Sequence, residues 1–149
     1  MTLKTKVLSL IATLCTLPAG LLHAQAFGAA HAVTFTTSFP FYVSGKPMPA
    51  GSYVMTQLDI NSNVVLIRDT DSSHSAFILY TRTLSTEPIA QGEVTFRQYG
   101  DADYLGDVTV TGEKTGLTVP ESPAEKRTAR ANHDAASLRT VALQSNVRG

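Results

Sequence analysis

The sequence predicts an all-β fold, an antiparallel sandwich or small barrel of about seven strands, with a short C-terminal helix and a mobile tail. Three observations predict it. The pattern alternates with a period of two, Val33, Phe35, Thr37 and Phe39 pointing to one face and Thr34, Thr36 and Ser38 to the other. Clusters of glycine, proline, asparagine and aspartate separate the apolar runs at short, regular intervals. After Pro120 the composition shifts to a helix-start pattern, Ser122-Pro123-Ala124-Glu125.

Before the first strand, residues 1–26 have the layout of a secretory signal. Lys4 and Lys6 precede an uncharged apolar stretch from Val7 to Leu22, and Ala24-Gln25-Ala26 supplies small residues for cleavage after Ala26. Ala30 and Ala32 offer alternative cleavage positions. Pro18 and Gly20 interrupt an apolar run of about 16 residues, shorter than the roughly 20 that cross a bilayer, so no membrane span is expected after cleavage. The only cysteine, Cys15, lies in this stretch behind Leu14, where a lipid-anchored protein needs a small residue. The expectation is an exported protein, periplasmic or extracellular, held together without disulfides by apolar burial. Cleavage leaves about 120 residues, near the commonest domain size.

Along residues 27–120, a strand from Val33 reaches Pro40, whose missing donor implies an edge or a bend. Phe41, Tyr42 and Val43 continue as an extended piece. Gly45, Pro47, Pro49 and Gly51 make Ser44–Gly51 read as a turn. Strands follow at Ser52–Leu58, Val64–Ile67 and Ala76–Tyr80, the last two forming a hairpin across the polar loop Asp69–Ser73. A loop from Leu84 to Gly92 leads to the alternating segment Glu93–Tyr99, with Val94 and Phe96 on one side and Thr95 and Arg97 on the other. Gly100-Asp101-Ala102-Asp103 makes a tight turn. The last strand runs from Tyr104 to Thr111, with Tyr104, Val108 and Val110 on one face and Gly106 marking a bulge or a close contact. A helix is predicted over Pro123–Arg130, and a frayed terminus beyond Asn132. The segment 121–149 carries five basic and three acidic residues, whereas 27–120 carries five basic and nine acidic ones.

Charge excludes one class of function. Twelve basic and twelve acidic residues cancel, which leaves no broad positive field for nucleic acid. Chemistry is sparse elsewhere. His31, His74 and His133 stand apart without metal-site spacing. Asp101, Asp103 and Asp107 are weak candidates for calcium, an oxygen-seeking cation. The EF-hand pattern fails, because Leu105 and Gly112 fall where oxygen ligands are needed. No Gly-x-Ser-x-Gly elbow and no phosphate-cradling loop occurs, and carboxylates such as Glu87 and Glu93 are scattered. No catalytic residue and no cofactor is assigned. The early aromatics suit a sheet core, while Phe41, Tyr42 and Tyr53 are candidates for a contact surface.

The chain resembles a family of short, uncharacterised, secreted single-domain bacterial β proteins. The resemblance rests on Phe39-Pro40-Phe41-Tyr42-Val43, Pro49-Ala50-Gly51-Ser52-Tyr53, Leu66-Ile67-Arg68, Phe96-Arg97-Gln98-Tyr99-Gly100-Asp101 and the charged stretch from Glu121 to Arg130. Met48 stands where family members usually have leucine, an exchange of similar volume. The resemblance implies a shared fold and export, and no activity. The expected function is a non-catalytic binding or structural module of the envelope or extracellular space, contacting a protein or envelope partner through sheet edges or loops. The alternative is a carrier of small hydrophobic ligands, with Phe35, Phe77 and Phe96 lining a cavity. A hydrolytic enzyme is the least favoured reading.

Overall fold

A computed structural model describes residues 32–59, 61–133 and 135–145. The N-terminal signal, its cleavage sites at Ala26 and Ala30, Cys15 and His31 lie outside the described residues.

Alternation builds the first strand, β1 (Ala32–Thr37), which buries Val33, Phe35 and Thr37. Pro40 then bends the chain into β2 (Phe41–Val43). Ser44 and Gly45 both take positive φ, 49° and 83°, the two-residue turn whose twist suits a hairpin. That turn leads into β3 (Lys46–Met48), so the stretch expected to be only a turn contains a strand. Pro47 is tolerated because β3 lies at the end of the sheet path, where a missing donor breaks no ladder.

A meander follows: β4 (Gly51–Gln57), β5 (Val64–Asp69) and β6 (Ser75–Leu79), with the expected hairpin formed by β5 and β6. Past Tyr80, the exposed β7 (Thr81–Leu84) was not foreseen, having no apolar alternation. Next come β8 (Glu93–Tyr99), β9 (Ala102–Thr109) and β10 (Thr115–Thr118). Gly100 opens the β8–β9 turn at φ 58°, in the left-handed region. The helix α1 (Pro123–Asn132) begins where the capping pattern places it, with the Ser122 hydroxyl accepting from Glu125 N at 3.1 Å.

The expected mobile tail is a correction. Residues Ser137–Ser145 form β11, which lies between β8 and β1 and pairs antiparallel with both. Eleven strands among the described residues thus replace the expected seven, in the order β3-β2-β9-β8-β11-β1-β4-β5-β6, with β10 joining β7 to β9. The sheet curls into a nearly closed barrel. At one end the chain itself closes the circuit, passing from β6 through Tyr80 into β7, then by pairing to β10 and β9. At the other end β2 meets β9 in parallel at Tyr42 and Tyr104. There the Lys46 ammonium reaches across from β3 to the Ser75 carbonyl of β6 at 2.6 Å.

Inside the barrel the Phe35, Phe41, Tyr53 and Phe96 rings pack on one another, with centroids 5.0 to 6.3 Å apart. Contacts of this kind add about 1 kcal/mol each beyond the area they bury. Val33, Met55, Val65, Ile67, Ile78, Val94, Leu105 and Val108 fill the rest. The Tyr53 hydroxyl folds back to the Pro49 carbonyl, which explains the Pro-Ala-Gly-x-Tyr element: the turn and its tyrosine lock each other. Burial, and secondarily the Asp69 charge, pushes that hydroxyl up to about 12.

One face assignment on β9 is also corrected. Thr95 pairs with Asp107 but Phe96 pairs with Leu105, so Gly106 is the extra residue of a bulge. The parity of the strand flips there. Leu105 joins Val108 in the core, and Tyr104, expected beside Val108, points to the outside, where α1 packs.

Candidate functional site

Two surfaces are built on this frame, and the first depends on how α1 is held. Period two on β8 turns Arg97 outward, opposite to Phe96. Its guanidinium meets the Glu125 carboxylate at 2.6 Å through Nε and at 3.1 Å through Nη2. Nη2 also donates to the Leu105 and Val119 carbonyls. Instead of reaching back to cap its own helix, Glu125 therefore spends its charge on the sheet. The Glu125 side chain is 3% exposed and that of Arg97 15%. Burial works against the arginine charge, and the carboxylate more than offsets it, so the Arg97 pKa stands above the ordinary arginine value. Gly106 makes this passage possible. A Cβ there would stand 3.1 Å from both Arg97 Nη1 and the Thr95 carbonyl.

With α1 docked, Thr128 on it bonds the Tyr104 hydroxyl at 2.8 Å. Tyr104 in turn stacks on Tyr42, ring centroids 5.1 Å apart and planes at 23°, and meets Tyr99 edge-on at 6.0 Å. Beside this ladder opens a groove of about 390 Å³ between the β2–β3 hairpin, the β8–β9 turn and the C-terminal end of α1. Pro40, Tyr42, Pro47 and Tyr99 give it ring surfaces, and Asp101 and Asn132 give it polar groups. Asp101 is its one charged lining residue and makes no hydrogen bond or ion pair with the described residues.

The second surface is the outside of β5 and β6. Leu66 lies opposite Phe77 and Val64 opposite Leu79, all on the outer face. Phe77 is 65% exposed and Leu79 69%. Among the described strands β6 pairs only with β5. Asp69 N donates to the His74 carbonyl and Tyr80 N to that of Asn63. By alternation Ala76 and Ile78 also bond toward β5, whereas Phe77 and Leu79 aim their N–H and C=O groups away from it. This edge lacks the proline or bulge that usually blunts one, and only its Ser75 end is capped, by Lys46.

The residues singled out from sequence divide sharply. Phe41 and Tyr53 are buried core residues, and of the two only Phe41 borders the groove. Tyr42, 37% exposed, does face solvent at the groove. The calcium candidates are not brought together. Asp101 stands exposed on its turn, Asp103 is buried against Arg139 at 3.2 Å, and Asp107 accepts from Thr118 at 2.6 Å. No group of three or more metal-binding side chains forms among the described residues. The bulge contributes to this dispersal by shifting the parity between Asp103 and Asp107. Burial pushes the Asp103 carboxyl up, while the Arg139 charge pulls it back. The carrier expectation also meets a correction at Phe77, which is outside the barrel. Phe35 and Phe96, which were to line a cavity, pack against each other.

One constellation was missed in the sequence. At the β5–β6 turn the Asp69 carboxylate accepts from Ser73 Oγ at 2.6 Å and lies 2.9 Å from His74 Nδ1. These contacts hold its pKa down to about 2, the Ser73 bond contributing most. A hydrolytic relay needs serine on one imidazole nitrogen and the carboxylate on the other. Here both converge on Nδ1, with Ser73 Oγ 3.0 Å away, so the trio locks a turn. His133 closes α1 in the left-handed conformation.

Comparison of the chain with protein-family models, with curated proteins and with solved structures finds no match. No helix among the described residues is long and apolar enough to cross a membrane.

Proposed function

We propose that this protein is an exported, non-catalytic binding module that engages a protein or envelope partner along β6. The observation that carries the reading is the pair Phe77 and Leu79, exposed side by side on a strand that is paired with another strand on one side only. Their free N–H and C=O groups offer a partner strand a ladder, each bond contributing about 1 kcal/mol net. Their side chains, with Val64 and Leu66, offer apolar area at about 25 cal/mol per Å² removed from water. Specificity comes from side chains and affinity from main chain, as in other strand additions. The signal-like N-terminus and the resemblance to short secreted β proteins support the exported location.

A photo-crosslinking residue at Leu79, with a control at Glu87 in the β7–β8 loop, tests this in the native host. The reading expects one discrete adduct from Leu79 and none from Glu87. Phe77→Pro should abolish it, because that substitution removes an outward donor without touching the β5 ladder. No adduct at Leu79, or the same adducts from both positions, would overturn the reading.

A further inference from the structure

Independently of β6, we propose that the groove beside Tyr42 binds an extended, proline-rich peptide segment carrying a basic residue. Its walls are rings: Tyr42 with Pro47 opposite it in the β2–β3 register, Pro40, and Tyr99. Polyproline II segments dock on surfaces of this kind, since they are already extended and lose little freedom on binding. The receiving surface is fixed in advance as well. Tyr104 backs one face of Tyr42, and Thr128 fixes the Tyr104 hydroxyl, so the tyrosine ring pair sacrifices little entropy when a ligand arrives.

Charge selects the rest of the ligand. Asp101 is the single charged group of the lining and has no partner among the described residues. A lysine or arginine of the peptide complements it. A saccharide fits less well. Each sugar ring brings several hydroxyls that need partners, and apart from tyrosine hydroxyls the lining offers two polar side chains, Asp101 and Asn132.

The test is fluorescence anisotropy with the protein expressed from its full 149-residue sequence and a labelled peptide of repeated Pro-Pro-Lys. Saturable binding is expected, about tenfold weaker for the Gly-Gly-Lys and Pro-Pro-Glu analogues. Tyr42→Ala should weaken it about tenfold and Asp101→Asn about fivefold. Asp101 lies exposed on a turn, so its variant keeps the fold and the test stands even if Tyr42→Ala unfolds. Phe77→Ser, on the other surface, should bind the peptide as the parent does. Absence of saturation, equal binding of the analogues, unchanged affinity in Asp101→Asn, or binding of a soluble N-acetylglucosamine trimer where the peptide fails would each overturn the proposal.

Discussion

Replacing Glu125 by alanine removes the carboxylate that holds α1 on the barrel and leaves the Arg97 guanidinium largely buried behind it. Removing one member of a buried ion pair costs about 3–5 kcal/mol, chiefly because the other charge is left uncompensated. Arg97 keeps two acceptors, the Leu105 and Val119 carbonyls, which places the expected loss near the lower limit, about 3 kcal/mol. For a domain of this size that is a fall in Tm of about 12 °C. Glu125→Gln, which keeps the shape without the charge, should lose about half as much. Urea unfolding followed by circular dichroism measures both. The cycle with Arg97→Ala isolates the pair, with a coupling of about 2 kcal/mol expected. A loss below about 1 kcal/mol for Glu125→Ala, or a coupling indistinguishable from zero, would refute the argument and show that apolar contact alone seats the helix.

Further outcomes follow from the same packing. Phe96→Ala empties the centre of the aromatic core and should cost about 4 kcal/mol in urea unfolding, whereas Phe77→Ser on the outer face should stay within about 0.5 kcal/mol. Deleting residues 137–149 strips β11 from between β8 and β1 and bares two strand edges. The shortened chain should lose its cooperative thermal transition, where removal of a mere tail would leave Tm unchanged. Asp69 titrates at about 2 when folded against 3.8 ordinarily, so its contribution is complete above pH 3.8 and fades as pH falls toward 2. Thermal melts of Asp69→Asn should therefore lie below those of the parent at neutral pH, and the two should converge below about pH 2.

The parts of the fold that were legible are those whose cause is local. Val33, Phe35 and Thr37 face one way because alternation in a strand does, and Ser122 begins α1 because a free helix donor seeks an oxygen. What stayed hidden depends on partners distant in sequence. Within β11, Val141 and Leu143 are only half-buried, and Arg139 shares their side through its contacts with Asp103 and Phe39. No apolar pattern announces such a strand. The exposed residues of β7 show none either. The β2–β3 hairpin did carry a signal, Ser44-Gly45 between two short runs, which the surrounding prolines concealed. The same distinction separates the site residues. Tyr42 was found as an aromatic, but its exposure, unlike the burial of Phe41 and Tyr53, is a result of the barrel. The carrier reading alone needs Phe77 inward, and its alternation with Ala76 and Ile78 allows either face. Only pairing with β5 decides it.

The central claim, that β6 presents an open edge which a partner covers, is tested most directly by amide hydrogen exchange read residue by residue. In the isolated protein the amides of Phe77 and Leu79 should exchange rapidly and those of Ala76 and Ile78 slowly. In the assembly recovered from the native host the first pair should become protected too. Slow exchange at Phe77 and Leu79 already in the isolated protein, or rapid exchange persisting there in the assembly, would contradict the account.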